Sequence, residues 1–276
     1  MFTLNCKGRL LVISKPIVMG IINITPDSFF AASRKQQLDD VLKQAEKMIN
    51  DGASILDIGA QSTTPSSEWI DASTEWNRVS NILPELTKNF PDTFFSIDSF
   101  HHEVARNAVN EGVSIVNDVS GGLLDADMIP TVAALDVPYI CMHMKGTPQT
   151  MQMMASYENI TLELIDYFIE RIRVCQDAGI KDVVIDPGFG FAKNISQNFE
   201  LMRRLPLLEV LSCPILVGIS RKSTIYKTLG ITAAEALNGT TVMNTIALMQ
   251  GASILRVHDV KEAMEAIKLV QALGAE

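Results

Sequence analysis

Eight short apolar runs along the 276-residue chain each end in polar side chains, and those ends are the groups that could do chemistry. In order they are Asn23, Asp57, Asp98, Asn117 with Asp118, His143, Asp186, Ser220 with Arg221 and Lys222, and Arg256 with His258. Three of the carboxylates follow directly on runs that read as buried, where an unpaired charge is costly. One polar strand end means little, since loops are polar anyway; eight in step point to a shared site. The basic groups gather at the last two ends, a frequent phosphate corner in barrels, and in a chain of net charge −9 this implies an anion site. One of Arg221 and Lys222 is expected to face solvent. Asn23 supplies a neutral oxygen that could help hold Mg2+ beside an anion. Asp98, Asn117 and Asp186, with Lys222, could converge on a planar heterocycle, because such acceptors suit a ligand edge presenting several N–H groups.

The elements that must position these groups are legible as a period. Strands are expected at 17–23, 54–59, 94–98, 114–119, 139–143, 182–186, 215–219 and 253–258, near-continuous apolar runs of the kind parallel strands show when both faces are covered. Helical stripes lie between them: Leu38, Val41, Leu42, Ala45, Met48 and Ile49; Trp76, Val79, Ile82, Leu83 and Leu86; and Ile165, Phe168, Ile169, Ile172 and Cys175. Gly52, Gly112, Gly179 and Gly251 stand where helices stop before strands two, four, six and eight, and Pro16, Pro91, Pro138 and Pro214 precede the others. Alternating β and α elements predict a parallel sheet, and eight of them favour a single (β/α)8 TIM barrel of class α/β over residues 1–276, with an open doubly wound sheet as the alternative. Two connections, 25–37 and 60–72, exceed the usual length and are candidate lids.

Composition narrows the function. At 47% hydrophobic and 20% charged the chain is globular, and its acidity argues against a nucleic-acid binder. No run of about 18 apolar residues predicts a membrane span, and the N-terminal segment lacks the pattern of a signal peptide. Cys6, Cys141, Cys175 and Cys213 are scattered without a CxxC, which fits reduced thiols in a cytoplasmic protein. The four histidines form no zinc-binding spacing.

Taken together, the motifs Met19-Gly-Ile-Ile-Asn-Ile-Thr-Pro-Asp-Ser-Phe29, Ile55-Leu-Asp-Ile-Gly59, Ser96-Ile-Asp98, Ile115-Val-Asn-Asp-Val-Ser-Gly-Gly122, Met142-His-Met-Lys-Gly-Thr-Pro-Gln-Thr-Met151, Asp186-Pro-Gly-Phe-Gly-Phe191, Val217-Gly-Ile-Ser-Arg-Lys-Ser223 and Arg256-Val-His-Asp-Val260 closely resemble the dihydropteroate synthase family. The resemblance runs from about residue 16 to the end. It implies a transferase that joins para-aminobenzoate to 6-hydroxymethyl-7,8-dihydropterin pyrophosphate in folate biosynthesis, by an SN1-like displacement of pyrophosphate assisted by Mg2+. Carried over position by position, it implies Asp98, Asn117, Met142, Asp186, Gly218, Lys222 and Arg256 as pterin ligands. Asn23, Thr63, Arg256 and His258 would take the pyrophosphate, Asn23 also the metal. Phe29, Pro65, Phe191, Ser223 and the stem of Lys222 would form the para-aminobenzoate pocket, where sulfonamides compete. Asp98, Asp186, Lys222 and Arg256 would carry the catalysis, and a homodimer is implied. Asp57, Asp118 and His143 become supporting groups.

The chain departs from the family pattern in its loops. It reads Gly59-Ala-Gln-Ser-Thr-Thr-Pro65 where Gly-Gly-Glu-Ser-Thr-Arg-Pro is usual, so Thr64 replaces an arginine; Ala31-Ala-Ser33 replaces Asp-Gly-Gly, and Ala192 a glycine. These departures leave a non-catalytic pterin-binding paralogue open as an alternative. A pterin-binding methyltransferase domain is another, though it would not need the Arg256-Val-His258 anion site.

Overall fold

The computed structural model describes residues 1–24, 31–61, 69–147, 150–151 and 153–274, with the backbone alone at 31–35. Two strands, β1 (Phe2–Cys6) and β2 (Arg9–Ile13), form an antiparallel hairpin turned at Lys7-Gly8. Then follow β3 (Ile17–Asn23), α1 (Ala31–Asn50), β4 (Ile55–Gly59), α2 (Ala72–Val79), α3 (Leu83–Asn89), β5 (Phe94–Asp98), α4 (His102–Asn110), β6 (Ile115–Asp118), α5 (Met128–Leu135) and β7 (Tyr139–Met142). The chain continues through α6 (Ile160–Ala178), β8 (Val183–Asp186), α7 (Ile195–Arg203), a 3-10 turn over Leu205–Leu211, β9 (Leu216–Val217), α8 (Ser223–Leu229), α9 (Leu237–Met249), β10 (Ile254–Val257) and α10 (Val260–Leu273). No helix among the described residues is long and apolar enough to cross a membrane.

Strands β3 to β10 pair in parallel in the order β8-β7-β6-β5-β4-β3-β10-β9, and a bridge between Ile185 and Ile215 closes the ring. This is the (β/α)8 barrel, not the open sheet. Each strand buries both faces, which is why it reads as an uninterrupted apolar run. Side chains toward the strand starts, Ile17, Met19, Ile55, Ile115, Ile140, Val184, Leu216 and Ile254, fill the barrel's lower interior. Register then aligns the ends: Asn23 opposes Gly59, Gly59 opposes Asp98, Asp98 opposes Asn117, and Met142 opposes Asp186. Gly52, Gly112, Gly179 and Gly251 all carry positive φ at their helix ends, as their positions required.

Four features differ from the sequence reading. The hairpin was not anticipated, although Phe2, Leu4, Cys6, Leu11 and Ile13 alternate as a half-buried strand pair should. Its Leu4, Cys6, Leu11 and Ile13 join the lower barrel core, while the Asn5 N–H donates to Asp182 and the Arg9 guanidinium to the carbonyls of Pro91 and Asp92. The hairpin is therefore a plug across the N-terminal end. Second, α1 starts at Ala31, so the first connection is shorter than 25–37; alanine at 31 and 32 extends the helix toward the strand. Third, the stripe from Trp76 to Leu86 is two helices, because Pro84 has no N–H for the ladder and its ring opposes the carbonyl four residues back. Fourth, Ile169 is exposed; α6 buries Leu164, Phe168 and Cys175 instead. All four cysteines are free.

Leu11→Ala, which empties part of the plug, is expected to lower the unfolding free energy by about 2–5 kcal/mol. Urea titration measures it; a loss below about 0.5 kcal/mol, the size of an ordinary surface change, would mean that the hairpin is not part of the cooperative core.

Candidate functional site

The strand ends meet in a cavity of about 720 Å³ at the C-terminal mouth of the barrel. Its centre is a buried ion network. Arg256, on β10, donates Nε to Asp57 Oδ2 at 2.6 Å and Nη2 to Asp98 Oδ2 at 2.5 Å. Asn117 donates Nδ2 to the same Asp57 oxygen at 3.0 Å. Asp57 is fully buried and its Oδ1 has no described hydrogen-bond partner. Burial pushes the Asp98 carboxyl up, Arg256 draws it back down, and the neighbouring Asp57 pushes it up again. Four strands of the closed ring, β10, β4, β5 and β6, with β3 between the first two, are thereby tied at their ends by charged hydrogen bonds.

On the other side, Asp186, Lys222 and Arg256 surround Gly218: a methyl group placed there would lie 3.9 Å from Asp186 Oδ2, Lys222 Nζ and Arg256 Cβ. Asp186 is pushed up by burial, opposed by Lys222 and by the Gly188 N–H, which donates at 2.8 Å. Burial lowers Lys222 to about 8, against the pull of Asp186. Its Nζ donates to the Phe189 carbonyl at 2.5 Å and stands 4.7 Å from the centre of the Phe191 ring. The loop carrying both is held from below. Lys193, 3% exposed, donates to His143 Nδ1, Gly188 O and Phe191 O, each at 3.0 Å. Burial holds His143 well below its usual range, so the ring is the neutral acceptor this bond needs. Gly188 is obligatory, since a Cβ would meet His143 O at 2.1 Å. Ala192, where a glycine was expected, keeps the glycine-like φ of 47°, a conformation that costs an L-residue roughly 1–2 kcal/mol.

The third side holds Asn23, Ser220, His258 and Arg78. Asn23 is exposed to the cavity, and its Oδ1 and Asp98 Oδ2 both lie within 3.7 Å of a methyl placed on Gly59. His258 is lowered by burial and by Arg256, and its Nδ1 pairs with Ser220 Oγ at 3.0 Å. Because that oxygen also accepts from the His258 backbone N–H, its proton goes to Nδ1 and the neutral imidazole keeps its own on Nε2. Arg78, on α2, donates Nη1 to the Ala60 carbonyl at 2.8 Å. Beside it Glu75 is completely buried, accepts from the Ser99 hydroxyl and is raised by burial to about 8, so it is protonated at neutral pH.

The structure thus brings Asn23, Asp98, Gly218, Lys222, Arg256 and His258 to one cavity, with Phe191 and Ser223 on its wall. Asn117 and Asp186 stand beneath them, bonded into the network and the loop base respectively. Met142 is buried in an apolar cluster with Phe100, Val119, Met144, Met151 and Ala192. Phe29, Thr63, Thr64 and Pro65 lie outside the described residues. Neither Arg221 nor Lys222 simply faces solvent: Arg221 makes a bidentate pair with Asp259 at 2.8 and 2.9 Å and donates to the carbonyls of Ala233 and Ala234. Sequence reasoning missed Arg78 and Glu75, which lie on a helix; their spacing of three places them on one face, but only packing shows that it meets the cavity rim. It also passed over Lys193, although that residue closes the glycine-rich loop.

The chain matches the family described as pterin binding enzyme over residues 19–258. It is 40% identical to the dihydropteroate synthase of Escherichia coli (strain K12) over 271 residues, 98% of this chain and 95% of that protein. Among solved structures it superposes on the Xanthomonas albilineans dihydropteroate synthase with 4-aminobenzoic acid with a TM-score of 0.91, at 34% identity, covering 99% and 98% of the two chains. The Yersinia pestis dihydropteroate synthase with a sulfonamide drug gives 0.92 at 35% identity, covering 99% of each.

Glu75 provides a test of the site's electrostatics. Its carboxyl titrates near 4.5 when unfolded and at about 8 in the native protein, so the native state holds the extra proton between these values. Wild-type stability should therefore fall as pH rises from about 4.5 to about 8. Glu75→Gln mimics the neutral form and keeps an acceptor for Ser99. Its stability relative to wild type is expected to grow across that window and to level off above it; parallel pH profiles in urea unfolding would refute the assignment.

Proposed function

This chain belongs to the dihydropteroate synthases, a family of pterin binding enzymes, and we infer that it condenses para-aminobenzoate with 6-hydroxymethyl-7,8-dihydropterin pyrophosphate in folate biosynthesis. The observation that carries the reading is the convergence of Asp98, Lys222 and Arg256 on one cavity, with Asp186 beneath it at Gly218 and the far side lined by Asn23, Ser220 and His258. A planar pterin seated over Gly218 would present its N–H edge to Asp186, Asn117 and Asp98. Lys222 would donate to its acceptor edge, and Arg256, already fixed by two carboxylates, would lie along it. The aromatic amine would enter between Phe191, the stem of Lys222 and Ser223, which line the cavity; that the chain takes such a ligand is supported by relatives in complex with 4-aminobenzoic acid and with a sulfonamide drug.

In the reaction the bond between the pterin methylene and the pyrophosphate oxygen breaks, with both electrons leaving on pyrophosphate. The cation left behind is delocalised into the pterin ring, where Asp98 and Asp186 favour it electrostatically. The para-aminobenzoate nitrogen then forms the new bond and releases its proton to solvent. No nucleophile–histidine pair is required: His258, which lines the cavity, is neutral and bonded to Ser220, and His143, under the loop, is bonded to Lys193. The leaving group would be met by the His258 Nε2–H and by the Arg256 Nη1, which neither Asp57 nor Asp98 engages. Mg2+ fits as the metal: the Asn23 oxygen is a hard, neutral ligand facing the cavity, and Mg2+ takes its remaining ligands from phosphate oxygens and water. When bound it would neutralise charge on the departing pyrophosphate. We also carry forward a cytoplasmic homodimer, for which the exposed Val242, Ile246 and Met249 on α9 offer an apolar face.

Purified protein given Mg2+ and both substrates is expected to release pyrophosphate and form dihydropteroate in equal amounts, with a sulfonamide competing against para-aminobenzoate. Absence of both products would overturn the reading. Thr64→Arg restores the usual arginine of the second loop, and charged hydrogen bonds are worth about 1.5–3 kcal/mol. Pyrophosphate should therefore bind about tenfold or more tightly to the variant; calorimetry showing unchanged affinity for pyrophosphate and for the pterin substrate would remove that role.

A further inference from the structure

We propose that Arg78 is a direct ligand of the pyrophosphate group, the one arginine lining the cavity, among the described residues, that has no carboxylate partner. The inference rests on the function proposed above and adds to it a residue on α2.

Among the described residues four arginine and lysine side chains line the cavity: Arg78, Arg221, Lys222 and Arg256. Arg256 is held by Asp57 and Asp98, Arg221 is locked in its bidentate pair with Asp259, and Lys222 faces Asp186 and donates to Phe189 O. His258 is neutral. Among the described residues Arg78 is the one cavity arginine with no carboxylate within ion-pair distance, and its single hydrogen bond goes to the Ala60 carbonyl. Glu75, three residues earlier on α2, is buried and protonated at neutral pH, so it leaves the guanidinium's charge uncompensated. The anchor also fixes where that charge points. Ala60 follows Gly59, the strand partner of Asn23, and the Ile24 N–H donates to Gly59 O at 2.7 Å. The guanidinium is thus tied to the same strand ends as the Asn23 oxygen, on the anion side and away from the Asp186 and Lys222 side. Nη1 is oriented by Ala60, which leaves Nη2 and Nε to meet two phosphate oxygens, the geometry for which a planar guanidinium is suited.

The test measures binding of inorganic pyrophosphate with Mg2+, and separately of the pterin alcohol that lacks pyrophosphate, by calorimetry. Arg78→Gln is expected to weaken pyrophosphate about tenfold or more and to leave the pterin alcohol unchanged. Introducing Thr64→Arg into the Arg78→Gln protein should recover much of the loss. A merely structural role, holding Ala60 in place, would instead weaken both ligands together and would not be rescued. Arg78→Lys keeps charge and bulk and serves if the glutamine variant does not fold. A lysine cannot reach Ala60 and two phosphate oxygens at once, so it too should lose several-fold for pyrophosphate alone. Unchanged pyrophosphate affinity in either folded variant, or equal losses for both ligands, overturns the proposal. If the wild type binds both ligands yet makes no dihydropteroate, the functional reading fails while the assignment of Arg78 stands.

Discussion

The site depends on one interaction, the guanidinium of Arg256 held between Asp57 and Asp98. Three charges with little access to water cost several kcal/mol each to desolvate, and only short, well-aligned hydrogen bonds offset that. Here they come from three strands, β10, β4 and β5, with Asn117 adding a fourth from β6. The parallel register fixes the stagger that lets these side chains meet, with Asp98 opposite Asn117, Asp57 opposite Ser96 and Arg256 opposite Met19, so the barrel must be closed in this alignment for the network to exist. Conversely, a slip of one residue in any of those strands would turn a charged side chain toward the apolar layer under the helices. Loss of a single partner would leave a buried charge uncompensated, a cost of about 3–5 kcal/mol. The network is therefore both the lock on the register and the preorganised floor on which a ligand lies.

Most of this was legible because the barrel repeats its logic eight times. A buried apolar run followed by Asp98, Asn117 or Asp186 announces both a strand and its working end, and the eight strands were placed to within two residues at each end. What escaped was whatever depends on packing between distant segments. The hairpin's alternation is plain in Leu4, Cys6, Leu11 and Ile13, but nothing in it says that it stoppers a barrel whose first strand begins four residues later. The division of α2 from α3 was carried by Pro84 alone, against an unbroken apolar stripe. Adjacent Arg221 and Lys222 look equivalent as letters. A φ of 53° at Arg221 turns the first toward Asp259 and leaves the second in the cavity. Glu75 and Arg78 lie outside the apolar stripe of Trp76 and Val79, and only the packing of α2 against the rim makes one a buried acid and the other a cavity cation.

The distribution of charge also matches the course of the proposed reaction. An SN1-like departure creates positive charge on the pterin and negative charge on the leaving group, so cations beside the ring would oppose the step they are meant to assist. The protein answers by cancelling them where the ring lies: Arg256 against Asp57 and Asp98, Lys222 against Asp186. These groups keep their hydrogen bonds, and so their power to orient the ring, without adding net positive charge to it. Across the cavity the arrangement reverses. His258 donates as a neutral group, Asn23 offers an oxygen suited to a metal ion, and Arg78 keeps its charge because Glu75 is too deeply buried to ionise at neutral pH. Interactions of this kind strengthen as charge separates, which is where binding energy accelerates a reaction instead of merely tightening the substrate. In a chain of net charge −9, the anion is held by sparing one arginine from the protein's own acids, with no broad basic surface required.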